Sequence, residues 1–196
     1  MKDMESLKKT DEAIAQEAQN GKAEAFGILV ERFEQPLKRY ARRFLFGYTE
    51  AEDVVQDVFL KAYANLQSFD TARSFSAWIY RIAHNEFINA IKKKGKEPIP
   101  FFDPDTLFPH PVEPTRTDDD IQKAELKDIL DSCLEKLDPK YREPLVLYFY
   151  EDMDYQTIAE IMHIPTSTVG VRINRGKQLL RKAYIHLEKS YAPRNA

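Results

Sequence analysis

Six of the eleven prolines in this 196-residue chain fall between residues 97 and 120, in EPIPFFDPDTLFPHPVEPTRTDDD. Proline lacks an amide hydrogen and fixes φ, so this density forbids regular helix and favours extended chain. On either side the pattern is helical, with little of the alternation that marks strands and no repeat. The expected fold class is therefore all-α, with two small helical domains over residues 1–96 and 121–196. An extended, acidic linker over 97–120 would join them. Its three phenylalanines, Phe101, Phe102 and Phe108, are unusual for a merely solvated tether.

Several function classes drop out early. Charged residues make up 31% of the chain, and no apolar run approaches the roughly 18 residues that span a bilayer. The start, Met1 to Glu5, lacks the apolar core of a signal peptide. Cys133 is the single cysteine, so no internal disulfide forms, which suits a reducing cytoplasm. It sits in an apolar stripe and reads as a buried thiol. His84, His110, His163 and His186 fall into no ligand spacing, so neither a metal nor a cofactor is expected. There is no phosphate-cradling glycine loop and no nucleophile elbow, which argues against an enzyme and against a small-molecule substrate.

The formal net charge of −3 conceals a division along the chain. Residues 1–96 carry 16 basic and 14 acidic side chains, residues 97–160 carry 6 and 17, and residues 161–196 carry 7 and 1. The net field of such a chain does not draw it to DNA, although the basic end alone would be drawn.

Within the first domain, Asp11 opens a short helix that stops near Gly21. Residues 22–46 form a long helix with Phe26, Leu29, Phe33, Leu37, Tyr40, Ala41 and Phe44 inward, bent at Pro36. Thr49 and Glu52 make a capping box for the next helix, whose broad apolar stripe runs through Ala51, Val54, Val55, Val58, Phe59, Ala62 and Leu66. QSFDTAR (67–73) breaks helicity before Ser74 caps a helix with Phe75, Trp78, Ile79, Ile82 and Ala83 inward. In the second domain, Ile129, Cys133 and Leu137 continue a helical stripe. Asp138-Pro139 starts another helix, which carries Pro144, and Asp154 caps a third. The chain turns at His163-Ile164-Pro165 into a last helix, with Ser167 near its cap.

That last helix aligns Val169, Ile173, Gly176 and Leu180 as a seam, where Gly176 permits close packing. The outward side carries Ser167, Thr168, Gly170, Val171, Asn174, Arg175 and Gln178. Asn, Gln and Arg pair bidentately with base edges, and Arg172, Lys177, Arg181 and Lys182 flank them at phosphate-facing angles. A helix-turn-helix sets such a helix in the major groove. The plain alternative is a solvated basic face. On helix 74–94, Tyr80, Arg81, His84, Asn85 and Lys92 lie outward, after a loop with Phe69, Asp70 and Arg73. Aromatic, amide and cationic groups together can stack unpaired bases and hold a strand. Asp53, Gln56 and Asp57 lie opposite the apolar stripe of their own helix, where chemistry alone favours an ordinary wet face.

The runs AEDVVQDVFLKAY and SFSAWIYRIAHNEFINAIKKK, the proline-rich linker, and LDPKYREPLVLYFYEDMDYQTIAEIMHIPTSTVGVRINRGKQLLRKA together resemble the extracytoplasmic-function sigma factors of bacterial RNA polymerase. The likeness is closest to the sigma-W type and covers nearly the whole chain in order. It implies a non-enzymatic transcription factor whose first domain docks on core RNA polymerase and melts the promoter −10 element, while the second reads the −35 element. By this resemblance Asp53, Gln56 and Asp57 fall on the polymerase-docking helix. Phe69, Asp70, Arg73, Phe75, Arg81, His84, Asn85 and Lys92 fall in the −10 region. Ser167, Thr168, Gly170, Val171, Arg172, Asn174, Arg175, Lys177 and Gln178 fall on the −35 helix. The linker corresponds to the segment that threads the polymerase active-site channel. A membrane-anchored anti-sigma factor, holding a cytoplasmic protein near the membrane, is a further implied partner. A free-standing helix-turn-helix regulator is the alternative; it predicts tight operator binding without polymerase.

Overall fold

The computed structural model describes residues 9–46, 51–94 and 129–191. The linker and the Thr49 capping box lie outside these residues. Among them the chain is helical, with no strand.

In the first domain, α1 (Asp11–Gln19) is capped by Thr10, whose hydroxyl accepts from the Ala13 amide at 3.2 Å. Gly21, at φ +93°, turns the chain into α2 (Ala23–Phe44), a left-handed step that glycine makes at no steric cost. Pro36 is accommodated inside α2, with Arg42 and Arg43 in the last turn facing the negative end of the helix dipole. α3 (Ala51–Asn65) follows, then a 3-10 turn (Leu66–Ser68) and the loop to α4 (Phe75–Lys94). Ser74 caps α4 as expected, its Oγ accepting from the Ala77 amide at 3.2 Å. The aromatic core of Phe33, Tyr40, Phe44, Phe75 and Phe87 joins α2 to α4, with Tyr40–Phe87 centroids 4.9 Å apart.

The second domain begins with α5 (residues 129–135). Asp138 then caps α6 (Pro139–Phe149), with Pro139 at its first position and Pro144 tolerated in its buried face. Asp154 caps α7 (Tyr155–Met162), and its Oδ1 accepts from the Thr157 amide at 2.7 Å. His163 takes the left-handed position that ends α7. α8 (Thr166–Tyr191) starts one residue before the expected Ser167 cap. Val169, Ile173 and Gly176 form its buried seam against α6 and α7.

The two domains pack on each other, α2 against α6 and α4 against α7. This corrects the placing of Tyr80 on the outer side of α4. In α4 alone it points away from the seam, but the Tyr40 ring of α2 stacks on it at 5.6 Å and Glu151 of the second domain accepts from its hydroxyl, which leaves it 3% exposed.

Candidate nucleic-acid interface

The loop between the 3-10 turn and α4 is fixed from three directions. Asp70 Oδ1 accepts from the Ala72 amide at 3.0 Å, closing a side-chain turn. Gln19 of α1 donates to the carbonyls of Leu66 and Phe69, each at 2.8 Å. Glu12 accepts from the Phe75 amide at 3.0 Å, and Gln16 accepts from the Thr71 hydroxyl at 3.1 Å. α1 is thus a buttress for this loop, a role invisible in its sequence because every partner is more than 45 residues away. Phe69, Phe75 and Trp78 cluster with centroids 5.0–5.5 Å apart.

The residues expected at the −10 region therefore divide. Asp70, Arg73, Arg81, Asn85 and Lys92 are exposed, while Phe69 and Phe75 are buried in the core. Those two rings hold the loop in shape; in this arrangement they offer no face for a base to stack on. Trp78 is half-buried and lines a cleft of about 910 Å³ with Arg73 and Arg81. The opposite wall of that cleft is α7, with Asp154, Glu160 and His163. Burial, and then the charges of Arg81 and His84, depress the His163 pKa.

Across the domain boundary, Glu143 of α6 is 1% exposed. It accepts from the Tyr40 hydroxyl, and its Oε1 lies 2.5 Å from His84 Nδ1. Glu151 accepts from the Tyr80 hydroxyl at 2.7 Å, with Arg39 at 3.9 Å. Burial pushes the Glu151 carboxyl above the usual carboxylate range and, with the Glu151 charge, pushes the Tyr80 phenol upward. The Arg43 guanidinium stacks 4.1 Å over the Tyr150 ring. His84 is thus drawn into the domain contact.

On α8, Ser167, Val171, Asn174, Arg175, Lys177 and Gln178 are exposed, and Val171 retains 67% of its surface. Thr168, Gly170 and Arg172 are half-buried. A Cβ on Gly170 would lie 3.4 Å from the Tyr155 ring, in ordinary contact. Lys177 Nζ sits 5.0 Å over the exposed Phe149 ring. Ser167, Val171, Asn174, Arg175 and Gln178 form one continuous polar stripe with a single aliphatic group at its centre.

Asp53, Gln56 and Asp57 are exposed on α3, as expected. Beside them Leu60 and Tyr63 are 68% and 55% exposed, at the mouth of an apolar groove of about 420 Å³ floored by Phe26, Val30, Val55 and Phe59. Sequence reading passed over both residues. The signal was present, since they lie off the buried stripe of an otherwise charged surface.

Cys133 is fully buried, and burial raises its thiol pKa. Among the described residues no cluster of His, Cys, Asp and Glu suits a metal ion, and no helix is long and apolar enough to cross a membrane.

Two family models match the chain: Sigma-70 region 2 over residues 29–97 and Sigma-70 region 4 over residues 127–180. The ECF RNA polymerase sigma factor SigW of Bacillus subtilis is 34% identical over 174 residues, spanning 85% of this chain and 92% of that protein. Among solved structures, CnrH in complex with the cytosolic domain of CnrY superposes with a TM-score of 0.66 at 28% identity, covering 93% of this chain and 99% of that one. The sigma factor RpoE in complex with the anti-sigma factor NepR, from Bartonella quintana, gives 0.63 at 26% identity, covering 81% and 95%.

Proposed function

Because the chain belongs to the ECF RNA polymerase sigma factors, we propose that it binds core RNA polymerase, directs it to promoters by reading −10 and −35 elements, and opens the DNA for initiation. The observation that carries this reading is one chain holding both domains in family order, each with its own exposed polar face, over 92% of the length of SigW.

Three surfaces divide the work. Asp53, Gln56 and Asp57, with the Leu60 and Tyr63 edge of the groove, meet the polymerase. Arg73, Arg81, His84, Asn85 and Lys92 hold the melted −10 strand, with Asp70 shaping the loop and Phe69 and Phe75 supporting it from the core. Flipping a base costs a few kcal/mol, and a loop already tied down by α1 lowers the ordering entropy that capture must also offset. Ser167, Val171, Asn174, Arg175 and Gln178 face the −35 bases, with Thr168, Gly170, Arg172 and Lys177 toward the backbone. The domains divide within residues 97–120, and that linker enters the polymerase channel. The protein has no catalytic chemistry of its own and acts in the cytoplasm, where the polymerase is. An anti-sigma factor anchored in the membrane restrains it. The structural neighbour RpoE, solved with the anti-sigma factor NepR, supports restraint by such a partner.

Run-off transcription with core polymerase on a random-sequence promoter library tests the reading. Transcripts from a defined promoter class should appear only when the protein is added. Tight operator binding with no effect on polymerase would establish the free-standing regulator instead.

A further inference from the structure

Glu12, Gln16 and Gln19 stand at i, i+4 and i+7 in α1 and so share one face of that helix. Each of them bonds to the loop before α4. Gln19 Nε2 donates to the Leu66 and Phe69 carbonyls, Gln16 Oε1 accepts from the Thr71 hydroxyl, and Glu12 Oε1 accepts from the Phe75 amide. Gln16 also donates to Gln19 Oε1 at 3.1 Å, and Gln67 donates to the Gln19 carbonyl at 3.0 Å. The three side chains therefore hold the loop at its start, its middle and its end. Another side of α1 buries Ile14, Ala15 and Ala18, and the helix packs on α2. Nine residues are too few for a helix that is stable alone, so α1 owes its order to that packing and passes it on to the loop.

Three of the loop groups so held, the Leu66 and Phe69 carbonyls and the Phe75 amide, are main chain, and such bonds fix a loop's shape whatever side chains it carries. The Phe69 carbonyl faces α1, and because its peptide is planar and trans, the Asp70 amide faces away from α1. The Asp70 and Arg73 side chains stay exposed. A loop with several accessible shapes re-packs around more than one base, whereas a loop held in one shape leaves a wrong base facing unpaired groups. Releasing the hold would lower discrimination even with every DNA-facing residue unchanged. The Sigma-70 region 2 match begins at residue 29, so the hold comes from a helix that lies outside it.

We propose that α1 sets the −10 selectivity of this protein, with Gln19 and Gln16 as positioning residues that act through the loop rather than by touching DNA. The selectivity rests on the reading of this loop as part of the −10 surface.

The test uses the full chain with core polymerase and a promoter found in the run-off assay, its −10 element randomised and its −35 element kept. Sequencing the transcribed templates gives the preference for the best −10 sequence over its single-base variants. Gln19→Met keeps the side-chain length and removes both donors. It should lower that preference by roughly tenfold, the shift that two neutral hydrogen bonds carry. Gln16→Met, which breaks the Thr71 contact, should lower it by less. Glu17→Gln alters the same helix at a residue paired with Lys9 and Lys22, and should leave the preference unchanged. Preference at a randomised −35 element and affinity for core polymerase should not move in any variant. In the free chain, hydrogen exchange over residues 66–75 should quicken with Gln19→Met and keep the parent rate with Glu17→Gln. An unchanged −10 preference with Gln19→Met would overturn the selectivity, and unchanged exchange would overturn the hold itself. Loss of −35 preference and polymerase affinity in step with −10 preference would make Gln19 a structural residue and overturn the proposal. A parent protein with no −10 preference would remove the reading of the loop and the selectivity together, while exchange still measures the hold.

Discussion

Exchanging glycine for alanine at two helical positions should move stability in opposite directions. Gly176 lies in the seam of α8, where an added Cβ would come within 2.8 Å of Leu145 Cδ1 and 3.1 Å of both Leu145 Cγ and the Tyr141 carbonyl oxygen. Alanine gains about 1 kcal/mol of helix propensity. Against this, Leu145 can give way, because it borders an apolar groove of about 450 Å³ with Leu130, Leu134 and Phe149. The Tyr141 carbonyl cannot, since it is main chain of α6. Relief then requires α8 to move off α6, and overpacking of that kind costs about 1–3 kcal/mol. The expected net for Gly176→Ala is a loss of about 1 kcal/mol, or about 4–8 °C in the melting temperature of a domain this size. Gly27 in α2 is exposed and an added Cβ there meets nothing within 4 Å, so Gly27→Ala should gain about 1 kcal/mol. The chain's single tryptophan, Trp78, lies in the first domain. Its fluorescence follows that domain through a urea titration, while helical circular dichroism follows both. Equal stabilisation by the two substitutions would show that α6 and α8 do not meet at Gly176.

Gln56→Ala should weaken binding to core polymerase with an unchanged melting curve; equal affinity for core enzyme would remove α3 from the docking surface. Arg175→Ala should cost roughly 1–3 kcal/mol on the correct −35 element if the side chain reads a base, and an equal loss on scrambled −35 duplex would make it a phosphate contact. Val171 carries two exposed methyls in the middle of the same stripe, so deoxyuridine for thymidine at one −35 position should weaken the parent protein and leave Val171→Ala indifferent. Accepting the Thr157 amide holds the Asp154 carboxyl below its ordinary value, so the cap contributes stability above the unfolded pKa of about 3.9 and loses it as pH falls through the folded one. Asp154→Asn should therefore lose less stability than the parent on acidification below about pH 4, as read by urea titrations across that range.

Most of the fold was legible because local chemistry decides it. Thr10, Ser74, Asp138 and Asp154 are side chains that out-compete water for the first free amides of a helix, and the apolar stripes of α2, α3 and α8 repeat at the helical period. What resisted reading depends on partners far along the chain. Tyr80 reads as outward because α4 considered alone does point it away from its seam, and its partners, the Tyr40 ring and the Glu151 carboxylate, lie 40 and 71 residues away. Phe69 reads as a base-stacking group because an aromatic loop has the same composition whether its ring faces water or a core, whereas Phe75, which the helical stripe already turns inward, is buried as that stripe requires. Gln19, Gln16 and Glu12 of α1 carry no sequence signal of their role, because the loop they hold lies more than 45 residues further along the chain. No periodicity reveals that Glu143 is buried, since the groups that bond it, the Tyr40 hydroxyl and the His84 ring, belong to the other domain.

The same distinction bears on why a protein of net charge −3 carries a basic DNA-facing helix. The acidic stretch over 97–160 opposes solitary binding through a long-range field, and ionic strength screens that opposition. The contact between the domains is of another kind: Glu143 is buried there and accepts from the Tyr40 hydroxyl, and salt screens such a buried interaction much less. Raising salt therefore removes the repulsion and the attraction of the exposed α8 cations together, yet leaves the contact between the domains in place. Only an opposing surface that binds the separated domains more tightly than they bind each other releases them. On the proposed assignment of α3 to polymerase and α8 to DNA, a ligand as large as polymerase has a surface on one domain to hold while the basic helix of the other stays exposed.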